Sequence, residues 1–107
     1  MTRKPPKTYR TLQKKHPQLL RAVEALGEAA RKAGPLDGKT SHLIQLAAAA
    51  AVRSEGSVHS HVRRAVAAGA SADEIYHALL LLTSTIGFPT TSAALSWAYD
   101  VLEKKAG

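Results

Sequence analysis

The sequence contains no cysteine. Disulfides, thiolate metal ligation, Cys-x-x-Cys redox chemistry and a cysteine nucleophile are thereby excluded. It also lacks any apolar run near the ~20 residues that a membrane-spanning helix needs. Between Thr2 and Gln18 only Tyr9 and Leu12 are large and apolar, so a secretory signal is not expected. The cytoplasm is the expected compartment. Acidic residues are missing from the first 23 positions, which carry Arg3, Lys4, Lys7, Arg10, Lys14, Lys15 and Arg21. From Glu24 onward eight basic residues meet eight acidic ones, so the formal charge of +7 belongs to residues 1–23, six of whose seven basic side chains lie in the leader, residues 1–15. Only that leader has the charge to meet nucleic acid or an acidic partner. Tyr9 is its one aromatic, which does not make a base-stacking platform.

What remains is a chain of 107 residues, long enough for one self-sufficient core. Alanine is abundant, and no segment alternates apolar and polar residues for long. These features predict an all-α fold. We read residues 1–15 as a flexible basic leader and 16–107 as a single helical domain. Pro17 suits the first turn of a helix that Gly34-Pro35 would end near Ala33. A second helix is expected from Gly38–Ser41 to Val52. Its run Ala47 to Ala51 is apolar on every side, which implies burial on every side. A third should span Val58 to Ala68, with Gly56 as a bend before it, Ser57 as its N-cap and Gly69 as its C′ residue. A fourth, Ala72 to Ile86, opens on the capping box Ser71-Ala-Asp-Glu74 and buries Ile75, Leu79, Leu82 and Ile86. Gly87-Phe88-Pro89 starts a fifth, packing Ala94, Trp97, Ala98 and Val101 and ending in Lys104-Lys105, which suit its dipole. Two helices apolar nearly all round point to a homo-oligomer.

The densest polar cluster is Ser54-Glu55-Gly56-Ser57-Val58-His59-Ser60-His61. A helix start in such a cluster offers free N–H groups to an oxyanion or carboxylate. A histidine there can act as general acid or base near neutral pH.

The stretch from Leu36 through His42, on through Ser57–Ile75 and to Gly87-Phe88-Pro89, resembles the carboxymuconolactone decarboxylase and alkylhydroperoxidase D superfamily. Its marks are the helix-starting His61 with Gly69 eight residues later, the Asp73-Glu74-Ile75 start and the Gly-Phe-Pro junction. The resemblance covers about residues 36–104. It implies an all-α subunit assembled into homo-trimers or homo-hexamers. In the peroxidase branch a glutamate, a Cys-x-x-Cys pair and a histidine do the chemistry. Aligned on His61, those cysteines fall on Ser54 and Ser57, and the glutamate falls on His42. Only the histidine is retained. The decarboxylase branch needs no cysteine pair and no organic cofactor. There the resemblance suggests a small carboxylated substrate, with His61, His42 and Ser57 as catalytic residues. Arg53, Arg63 or Arg64 would hold a carboxylate through bidentate hydrogen bonds.

A different reading takes Glu55 and His59, four apart on one helical face, with His42 from the preceding helix. One carboxylate and two imidazoles would suit a divalent zinc, iron or manganese ion. The plainer alternatives are a local Glu55–His59 ion pair, serines that cap helix ends, and a surface or interface role for His77. A third functional reading is a non-catalytic oligomeric module whose leader docks an acidic partner. A serine hydroxyl forms neither a disulfide nor a stable thiolate equivalent. The chain should therefore not turn over hydroperoxide with a dithiol reductant, as a peroxidase assay on the purified protein would check.

Overall fold

The computed structural model describes residues 6–103, and every regular element among them is a helix. The chain divides after Pro35 into two compact units.

In the first unit, α1 (Lys7–Lys15) and α2 (Pro17–Lys32) meet at His16. Lys7–Lys15 is thus helical, although the sequence reading placed residues 1–15 in a flexible leader. Its lysines, arginine, glutamine and leucine are good helix formers. The Tyr9 hydroxyl donates to the Glu24 carboxylate, linking the two helices. Arg3 and Lys4 of the expected leader, and Lys104 and Lys105 of the expected last helix end, lie outside the described residues.

The second unit contains α3 (Gly38–Ala51), α4 (Glu55–Ala67), α5 (Ala72–Leu80), α6 (Thr83–Ile86) and α7 (Phe88–Leu102). Helix α4 packs against both α3 and α7, and α5 packs against α7. Leu46, Val58, Val62, Ala65, Ile75, Leu79, Ala94 and Ala98 are fully buried between them. Small residues at Ala49, Ala50, Ala65, Ala94 and Ala98 keep the core shallow, since an alanine face lets helix backbones approach closely. Within the chain α3 is buried on one side only. Ala49 and Ala50 face the core while Ile44, Ala48, Ala51 and Val52 are exposed.

Both ends of α4 are set by corners of the same kind. After Ala67, Gly69 takes φ 103°. Its N–H bonds to Val66 O and that of Ala70 bonds to Ala65 O, the paired bonds of a Schellman cap. The corner between α3 and α4 repeats the pattern: Arg53 N–H bonds to Ala50 O and Ser54 N–H to Ala49 O. Here the left-handed position, φ 59°, is held by Arg53. A non-glycine residue in that region costs roughly 1–2 kcal/mol.

The bend therefore lies at Arg53, not at Gly56, which sits inside α4. Helix α4 starts three residues before the expected Val58, and its N-cap is Ser54, not Ser57. The Ser54 hydroxyl accepts the Ser57 N–H. The expected fourth helix is also split. Leu82 N–H turns back to Leu79 O, and the Thr83 hydroxyl donates to Leu80 O. Such side-chain bonding competes with a regular helix, and β-branched Thr83, Thr85 and Ile86 add little to hold one.

The capping box of α5 forms as expected. Ser71 Oγ accepts from Glu74 N–H at 3.0 Å, and Glu74 Oε1 accepts from Ser71 N–H at 2.9 Å. Lys39 of α3 donates to Glu74 Oε2 at 3.0 Å. The Ser71 backbone bond, followed by the Lys39 bond, lowers the Glu74 pKa from its ordinary 4.5. Asp37, N-cap of α3, is lowered from 3.8 mainly by its backbone bond from Thr40. Replacing Ser71 by Ala should lower stability by about 1 kcal/mol, read from the urea unfolding midpoint. Both carboxylates have folded pKa values below the unfolded ones. Their contribution is complete above the unfolded values and is lost as pH falls through the lowered folded ones. Acid unfolding followed by circular dichroism should therefore begin at higher pH in Glu74→Gln than in the parent chain.

Candidate functional site

Two histidines from successive helices meet inside the second unit. His42 is the fifth residue of α3 and is 8% exposed; His61 lies half-buried on α4. Their ring centroids are 5.7 Å apart and the planes are inclined by 37°. The Asp37 cap and the α3–α4 corner fix the two helices that carry them. Because α4 begins at Glu55, His61 stands in its second turn, not at its start. Ser57 precedes it by four residues and so shares its helical face. The helix start itself is already furnished: Ser54 accepts one backbone N–H, and Glu55 brings a carboxylate to the positive dipole end.

The three arginines are disposed differently. Arg53 is exposed, and its Nη1 donates to Thr90 Oγ1 of α7 at 3.2 Å. Arg64, three residues after His61, is exposed on the neighbouring turn, and Arg63 is half-buried.

His59 belongs to another group. Its Nε2 lies 3.1 Å from Asp100 Oδ2 and 3.9 Å from Glu55 Oε2. Helix α4 runs unbroken through Gly56, so the Glu55–His59 spacing on one face holds. His42 is not part of this group: among the described residues, the donor set within mutual reach is Glu55, His59 and Asp100. The side chain that lies beside Glu55 and His59 is instead an aspartate, 41 positions beyond His59. Local spacing could not reveal it. One signal was available, because Asp100 is the sole charged residue of α7.

Thr91 is a second residue that the sequence did not single out. It is fully buried in α7, and its hydroxyl oxygen has no hydrogen-bond partner. Near the end of α7, Tyr76 donates to Glu103 at 2.7 Å and packs 5.0 Å from the Tyr99 ring. Burial, and then the Glu103 carboxylate, push its phenol pKa well up.

A model of the carboxymuconolactone decarboxylase family matches residues 17–100. The chain belongs to the carboxymuconolactone decarboxylase family, as a variant without cysteine. The match takes in α2, which the sequence resemblance had left outside. The chain is also 44% identical over 59 residues to an uncharacterized protein of Haemophilus influenzae, a span of 55% of this chain. It covers 52% of that relative, about half its length. Among the described residues, no helix is long and apolar enough to cross a membrane.

A buried hydroxyl without a partner costs about 1–3 kcal/mol relative to one that is satisfied. Thr91→Val should therefore leave stability unchanged or raise it by up to about 1 kcal/mol, measured by chemical denaturation.

Proposed function

We propose that the protein acts on a small carboxylated molecule by histidine general acid–base chemistry, with His61 and His42 as the working pair. The observation that supports this reading is the 5.7 Å approach of the two rings. It sets two imidazoles where the family's peroxidase branch sets a glutamate and a histidine. Near neutral pH an imidazole can either give or take a proton. Two of them can hold one proton ready while the other position accepts.

In a decarboxylation the bond from carbon to the leaving carboxylate breaks and its electron pair moves into an electron-withdrawing part of the substrate. The resulting carbanion is then protonated at carbon. His61 would deliver that proton, with His42 exchanging it, and Ser57 on the same face of α4 would hydrogen-bond the substrate. A carboxylate is seated by a cation in bidentate geometry. Arg53 and Arg64 are exposed and fit that task. Arg53 is the stronger choice, because it occupies a backbone position that glycine would fill without strain.

The exposed Ile44, Val52, Leu80, Leu81 and Phe88 support self-association of this unit as a trimer or hexamer, which light scattering on the purified chain would measure. For the chemistry, a panel of small lactone and unsaturated acids should identify a substrate through release of carbon dioxide. His61→Gln should then reduce kcat at least 100-fold with helicity and assembly unchanged, and His42→Gln should reduce it as well. Retained turnover in His61→Gln would refute the assignment. Arg53→Gly should raise stability by about 1 kcal/mol through relief of the left-handed strain while raising KM.

A further inference from the structure

We propose that Glu55, His59 and Asp100 form a binding site for a divalent transition-metal ion, zinc in the first instance. Two helices converge to make it. Glu55 and His59 occupy successive turns of α4, and Asp100 reaches them from α7. One atom from each residue lies within 4.8 Å of the other two. His59 Nε2 stands 3.1 Å from Asp100 and 3.9 Å from Glu55.

Those separations suit an ion. The centre of a triangle with these sides is at most about 2.4 Å from each corner, against ~2.0–2.2 Å for zinc bound to nitrogen or oxygen. Small side-chain rotations therefore suffice. The chemistry fits too. An imidazole with two carboxylates is a borderline donor set that takes zinc and manganese, and the two anionic groups balance a dication. Without an ion, a neutral imidazole has a single Nε2 proton to share between two carboxylates. His59 is held in place, with its side chain 24% exposed, whereas the Glu55 and Asp100 side chains are 58% and 56% exposed. The outer side of the site thus stays open for water or a ligand to complete the coordination.

This site shares no residue with the His42–His61 pair, so the two proposals stand or fall separately. The test is zinc binding to the full chain without an affinity tag, measured by competition with a colorimetric chelator after treatment with EDTA and buffer exchange. One zinc per chain is expected. His59→Ala and Asp100→Asn should each weaken binding at least 10-fold, and His61→Gln should leave it unchanged. Absence of binding, equal affinity in the parent chain and the first two variants, or loss of zinc in His61→Gln would overturn the site. Should those two variants fail to fold, the thermal shift decides. Zinc should raise the Tm of the parent chain and not that of Glu55→Gln; equal shifts would overturn the proposal.

Discussion

The arrangement of the second unit depends on the corner between α3 and α4. Two short carbonyl–amide bonds, from Arg53 to Ala50 and from Ser54 to Ala49, turn the chain within three residues. The turn requires one residue in left-handed backbone, and Arg53 accepts that strain. With alanines at 49 and 50 on the inner side, α4 folds back closely onto α3. The approach brings His42 against His61, and the opposite end of α4 is closed by the same geometry at Gly69. Both histidines are carried by a backbone path that is settled one turn or more away.

Much of the fold was legible in the sequence because its signals are local. Pro17, the Ser71–Glu74 box, Gly69 and Gly87-Phe88-Pro89 mark helix ends through geometry that is set within a few residues, whereas the Asp37 cap of α3 emerged only in the structure. The misplaced start of α4 has a physical reason. Ser54 and Ser57 are equally good caps by type, and Gly56 attracts attention as a breaker, whereas the bend was made by an arginine in a conformation that sequence does not advertise. The split between α5 and α6 is marked by the Thr83 hydroxyl, which donates to Leu80 O; a hydroxyl's choice between solvent and backbone is not encoded in periodicity.

The candidate site was legible to the extent that it follows helical spacing. Glu55 and His59 share a face, and so do Ser57 and His61, and the structure keeps both relations. The tertiary pairings were another matter. His42 goes to His61 and not to the Glu55–His59 pair, and Asp100 arrives from the far end of the chain. The charge is divided as sharply as the fold. The unit ending at Pro35 contains nine basic and two acidic residues in sequence, and the rest of the chain six of each. The unit that holds His42 and His61 is therefore electrically balanced in sequence, and the field at any one point within it is set by local groups.

Arg53 carries one implication at the level of the gene. Every arginine codon is one base change from a glycine codon, so the unstrained corner is always a single mutation away. No intermediate residue has to be passed through, and no second substitution is needed to accommodate the change. At this codon the backbone's preference for glycine is set directly against the carboxylate-binding role proposed for the side chain. Variation there reports which of the two has governed the lineage.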